Sequence, residues 1–295
     1  MEVRLPSQFD SESMYSFISN TLNEENEPHS NEISFDFRPL EFITPVGVTV
    51  LSNLIGKLMK HGTKVSFVYR APNRLIKFCP IAFLDDSMFF KHYLGNSLDG
   101  YARLRPTTLP LSNVTYAKSH DYLTSTMVWL ASKLSLTKKS LGDVETCMKE
   151  VFNNIKDHSS EKIGSVFVQQ YPRNNTVMFA ISDFGVGIPF HIQRIHPSLS
   201  DGEAIRLAVQ EGFTTKTSPR NRGAGLDFLL HNVVKNNKGF VYIHSNRGIL
   251  NCTGDGNGGI KFEVKNTAGF YPGTLLEINF RTDTIENEEE EFLWE

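Results

Sequence analysis

The fold class predicted by this 295-residue sequence is α/β, arranged as two consecutive units. Three observations carry the prediction. Residues 33 to 69 read as strand, helix, strand; an amphipathic helical stripe from Val144 to Ile155 precedes a strand, Thr176 to Ser182, that runs into a glycine-containing turn; and Gly223 and Gly225 open a further helical pattern. The length exceeds what one ordinary core supports, so two compact units of roughly 100 to 180 residues are expected, each able to hold its own fold.

In the first unit, Ile33 to Phe37 has strand character, and Thr44-Pro45 then supplies a helix N-cap followed by proline at the first helical position. Val46, Val50, Leu51, Leu54 and Leu58 recur at helical spacing until Gly62, a suitable stop, after which Lys64 to Tyr69 reads as a second strand. Further helical pattern is predicted around Ser11 to Leu22 and Leu75 to Tyr93. The run Phe35-Asp36-Phe37-Arg38-Pro39-Leu40-Glu41-Phe42-Ile43-Thr44-Pro45-Val46-Gly47 resembles the central strand, loop and helix start of STAS domains, the anti-sigma-factor antagonist fold. STAS switch proteins typically carry a phosphorylatable serine just before the glycine. Here Pro45 and Val46 occupy that stretch, so the resemblance implies a unit that chooses a protein partner rather than one that is phosphorylated.

In the second unit, Val144, Cys147, Met148, Val151, Phe152 and Ile155 form one apolar helical face. Glu150, Asn154 and His158 stand four residues apart along its flank, where a pocket wall would lie. A carboxylate there can orient or deprotonate a nucleophile, and an amide oxygen beside it can ligate Mg²⁺, which demands oxygen ligands. Asp183, at the end of the strand Thr176 to Ser182, is placed to accept the amino hydrogens of a purine, while Gly185 and Gly187 let backbone approach the base. The third element is Phe213-Thr214-Thr215-Lys216, followed by Asn221-Arg222-Gly223-Ala224-Gly225-Leu226. A glycine-rich loop opening a helix presents free N–H groups to phosphate oxygens, and Thr214, Thr215, Lys216 and Arg222 add hydroxyl and cationic contacts. Gly254 to Gly259 reads as a turn joining strands 241 to 245 and 260 to 264.

Together these segments resemble the GHKL, or histidine-kinase-like, ATPases of the Bergerat fold. Glu150 to His158 looks like the asparagine box, Asp183 to Gly187 like the first glycine box, and Phe213 to Leu226 like the lid and second glycine box. Gly239 to Ser245 and Pro272 to Phe280 resemble the strands that complete that fold. The resemblance implies a STAS-like unit over residues 1–105, a linker near residues 100 to 112, and an ATP-binding unit over residues 110–283 built as a mixed sheet with helices on one face. It further implies that Glu150 polarises the attacking group, Asn154 holds Mg²⁺, His158 and Asp183 border ATP with Asp183 reading adenine, and Gly223, Ala224, Gly225 and Leu226 border the phosphates.

The layout is closest to the anti-sigma-factor serine/threonine kinases, so the leading expectation is a regulatory ATPase or a kinase acting on serine or threonine of a partner protein. An ATP-gated binding module without turnover is the alternative, and a histidine kinase is a third reading. The formal net charge of -3 gives no sign of a polyanion-binding surface, and no apolar stretch approaches the ~20 residues of a membrane span. Cys79, Cys147 and Cys252 have no disulfide or zinc spacing. Neither nucleic acid nor membrane is therefore an expected partner, a homodimer is compatible with the pattern, and a cytoplasmic setting is expected. Six glutamates between Glu286 and Glu295 predict a solvated acidic tail over residues 284–295.

Overall fold

In the computed structural model, which describes residues 1–158, 163–213 and 225–288, the chain opens with β1 (Glu2–Arg4), β2 (Gln8–Phe9), α1 (Met14–Ser19), β3 (Glu32–Asp36) and β4 (Phe42–Ile43). Then follow α2 (Pro45–Lys60), β5 (Lys64–Val68), α3 (Pro80–Asp86) and α4 (Phe89–Leu94). Strands β1, β3 and β5 make a three-stranded parallel sheet, and β2 pairs in parallel with β4. Thr44 caps α2 by accepting a 3.3 Å hydrogen bond from Gly47 N–H, with Pro45 in the first turn, and Gly62 takes a positive φ of 78° just beyond the end. The single helix expected over Leu75 to Tyr93 is two short ones. Pro80 disfavours helical backbone at Cys79, which is extended, and Met88 breaks the run again at φ 64°.

The second half contains β6 (Ser112–Thr115), α5 (Tyr116–Leu134), α6 (Gly142–His158), β7 (Ile163–Tyr171) and β8 (Thr176–Asp183). After these come α7 (Gly187–Gln193), α8 (Asp201–Ala208), α9 (Leu226–Leu230), β9 (Phe240–Gly254) and β10 (Ile260–Arg281), with a π-helical turn at His231–Asn236 continuing α9. The strands form one sheet in the order β6-β7-β8-β10-β9. A mixed sheet was expected, but every neighbouring pair is antiparallel. The short reversals between β7 and β8 and between β9 and β10 fix opposite directions, and β10 then inserts between β8 and β9. The predicted pairing of 241–245 with 260–264 is also corrected. Val241 pairs with Ile278, whereas residues 260 to 264 pair with 254 to 250, because both strands of the hairpin are longer than the apolar pattern suggested.

Helices do not cover one face alone. Val166, Phe179, Ile181, Ile243, Leu276 and Ile278 form a core with α5, α6 and α9, and α2 lies across β7 and β8 on the opposite face. A helix buried nearly all round must sit between two layers, and α2 does so, with Val46, Val48, Val50, Leu51, Leu54, Ile55 and Leu58 all buried. One contiguous apolar cluster therefore joins Phe9, Phe35, Leu51 and Leu54 of the first half to Phe167, Ala180, Phe184, Tyr271 and Leu275 of the second. The segment expected as a linker extends the sheet edge: Gln170 N–H donates to Thr107 C=O at 2.8 Å and Leu109 N–H to Val168 C=O at 3.1 Å. The start of the acidic tail is fixed as well, with Glu288 N–H donating to Ser140 Oγ at 2.8 Å and its carboxylate 3.1 Å from Lys139 Nζ.

Candidate functional site

The expected stripe of α6 is buried from Val144 to Ile155, which leaves Glu150 and Asn154 half-buried on the flank of the helix; His158 is its last residue. Burial pushes the neighbouring Cys147 thiol up to about 12, with the charges of Asp143 and Glu150 adding to the shift, so this cysteine is an inert core residue. Asp183 closes β8. Because side chains alternate along a strand, it shares the face of Phe179 and Ile181, the one that α6 covers. Its Oδ1 accepts a 2.8 Å hydrogen bond from Gly185 N–H, which fixes the start of the first glycine turn.

The second glycine element meets α6. Gly225 immediately precedes α9, and the nearest atom to a Cβ placed on it would be Asn154 Nδ2, at 3.9 Å. The amide flank of α6 therefore faces the start of α9, and Leu226 packs at the margin of the same core. Thr214, Thr215, Lys216, Arg222, Gly223 and Ala224 lie outside the described residues.

Ser245, Gly273 and Thr274, which the sequence marked only as parts of strands, also stand at this constellation. Across the sheet, Asp183 is in register with Thr274, and Thr274 with Ser245, so the three form one row on the α6 side. The Ser245 hydroxyl donates to Gly273 C=O at 2.6 Å, accepts from Ile188 N–H at 2.9 Å and lies 3.2 Å from Thr274 Oγ1. Gly187 takes φ 81°, and a Cβ there would come within 2.7 Å of Ser245 Oγ and 2.8 Å of Asn246 Oδ1. Gly273, at φ 102°, would bring a Cβ against the Asp183 carbonyl and within 2.6 Å of Gly185 N. These two glycines thus permit the close backbone packing that holds the turn after Asp183.

Among the described residues, no group of three or more His, Cys, Asp or Glu is placed to hold a metal ion. An open cleft of about 520 Å³ bounded by Glu203, Arg206, Val264 and Asn266 involves none of the residues expected at the site. No protein-family model matches the chain, and no curated protein matches it.

Proposed function

We propose that the chain binds Mg-ATP between α6, the end of β8 and the start of α9, as a GHKL-type regulatory ATPase or a serine/threonine protein kinase of the anti-sigma-factor-kinase kind. The observation that carries this reading is the approach of Asn154 to Gly225, two residues from separate sequence motifs, on the sheet face to which Asp183 also belongs. In this reading Asp183 accepts the adenine amino group and the start of α9 borders the phosphates. Asn154 would hold Mg²⁺ through its amide oxygen, and the cation would neutralise charge on the phosphates. Glu150, one helical turn before Asn154, orients the attacking water or hydroxyl. The N-terminal unit, with α2 starting at Thr44-Pro45 beside a parallel sheet, is read as STAS-like and as the surface that selects a protein partner.

Calorimetric titration of Mg-ATP into the full chain, with chromatography of the products, tests both binding and chemistry. The wild type is expected to bind and to yield ADP. Glu150→Ala should keep its affinity within about twofold and lose turnover, because a group that acts only on the attacking atom adds little to ground-state binding. Absence of Mg-ATP binding by the wild type would sink the nucleotide reading. Wild-type turnover in Glu150→Ala would instead favour the ATP-gated module.

A further inference from the structure

Asp183 stands between two residues, Ser182 and Phe184, that are both anchored from the other side of the sheet. Ser182 points to the face covered by α2 and is fully buried. Its hydroxyl accepts a 2.9 Å hydrogen bond from Asn53 Nδ2 and pairs with the Tyr271 hydroxyl. Asn53 Oδ1 accepts from Ser165 Oγ at 3.4 Å, so one amide of α2 bridges β7 and β8 at the Ser165 and Ser182 register pair. Phe184 enters the apolar cluster of the N-terminal half, edge-on to Tyr271 with ring centroids 5.4 Å apart. Tyr271 in turn meets His244 at 5.6 Å, and His244 meets Tyr15 of α1 at 5.2 Å. The residue after His244 is Ser245, which holds Ile188 and Gly273.

We propose that the N-terminal unit is a working part of the nucleotide site, with Asn53 of α2, and Tyr271 of β10 in the shared apolar cluster, as positioning residues that set where Asp183 and the Gly185 to Gly187 turn stand. The role given to the turn rests on the ATP reading above; the positioning itself does not. Both residues contact the flanks of Asp183 from behind, so they act on the nucleotide through Asp183 and not by touching it. The consequence is reciprocal. A partner that binds the N-terminal unit and shifts α1 or α2 changes ATP affinity, and ATP changes affinity for that partner by the same factor.

Ser52 provides an internal control. It lies one residue before Asn53 in the same interface, but its hydroxyl bonds Tyr93, Asn113 and Ser165 and makes no bond to β8. Amide hydrogen exchange should therefore be followed in the full-length wild type and in Asn53→Ala, Tyr271→Phe and Ser52→Ala, alongside melting temperature and Mg-ATP affinity. We expect exchange across residues 183 to 188 to quicken roughly tenfold in Asn53→Ala and Tyr271→Phe, and not in Ser52→Ala. ATP affinity should fall at least about fivefold in the first two alone, out of proportion to any change in melting temperature. Unchanged exchange at 183 to 188 in both variants, or an equal effect in Ser52→Ala, overturns the proposal. If the wild type binds no ATP, the nucleotide reading falls, and the exchange result alone supports or overturns the positioning.

Discussion

The two faces of the five-stranded sheet are built on different terms. On the α6 side, the two rows beyond the polar one of Asp183, Thr274 and Ser245 are wholly apolar: Val166, Ile181, Leu276 and Ile243 in one, Val168, Phe179, Ile278 and Val241 in the next. On the α2 side the corresponding rows are Ser165, Ser182, Leu275 and His244, then Phe167, Ala180, Glu277 and Tyr242. An apolar face accepts any complementary apolar layer, and the sheet's own helices supply it. A face that mixes aromatic rings with a buried hydroxyl, a strand carbonyl and an imidazole demands one partner with matching groups, because each unpaired buried polar atom costs about 1–3 kcal/mol. Thr49, Asn53 and Tyr15 are those matches, bonded to Ala180 C=O, Ser182 and His244. The comparison teaches that α1 and α2 are specified as a lining of the second sheet as much as of the first.

Removing that lining should have the largest effect. From the sequence, a fragment from about Leu109 to Asp283 holds every residue assigned to the pocket and is expected to fold alone and to bind ATP with near-full affinity. The structure points the other way, since the fragment would expose Phe167, Ala180, Phe184, Tyr271 and Leu275. At roughly 1.5–3 kcal/mol for each large apolar side chain, the loss is on the order of 10 kcal/mol, comparable with the whole stability of an ordinary domain. The fragment should give no cooperative melting transition by circular dichroism and should bind a hydrophobic dye. A fragment that melts cooperatively would break the comparison between the faces.

The half-buried carboxylate on the α2 side should show itself through pH. Burial, with the charge of Asp10 adding, raises Glu277 from near 4.5 to about 7. The folded state thus holds the proton more tightly than the unfolded one. The contribution of Glu277 is fully present below about pH 4.5 and is lost as pH rises through 7. His244 runs in the opposite sense, because burial holds it down to about 4, so its contribution is lost as pH falls from 6.5 through 4. Glu277→Gln should therefore stabilise the chain by up to about 3 kcal/mol at pH 8 and hardly at all at pH 4.5, which calorimetric melting at the two values will read. An equal gain at both would remove the carboxylate's charge from the account of this face.

On the α6 side a smaller and more local effect is expected from Asp183→Asn. The amide keeps a carbonyl oxygen for Gly185 N–H, so the turn should survive and the melting temperature should stay within a few degrees. A charge-assisted hydrogen bond to the nucleotide, worth about 1.5–3 kcal/mol, would be lost, so Mg-ATP affinity should fall roughly ten- to hundredfold by calorimetry. Unaltered affinity would mean that the row Asp183, Thr274, Ser245 serves the sheet and not a ligand.

What the sequence determined by itself is local. Thr44-Pro45 and Gly62 set the ends of α2, the apolar period set the buried face of α6, and the short apolar run from Thr176, ended by the Gly185 and Gly187 turn, set β8, because caps, helical periods and short apolar runs act within a few residues. The same period identified only the side of α2 that packs on its own sheet. Thr49, Ser52 and Asn53 fall outside that apolar period, and nothing nearby in the chain marks them as buried. Only the tertiary structure decided that they meet Ala180 and Ser165 and, for Asn53, a serine 129 residues away. It likewise decided that Ser245 and Gly273 hold the turn after Asp183, and that the sheet is antiparallel throughout. Such features depend on which distant strands become neighbours, and a buried polar pair leaves no period in either of the two segments that form it.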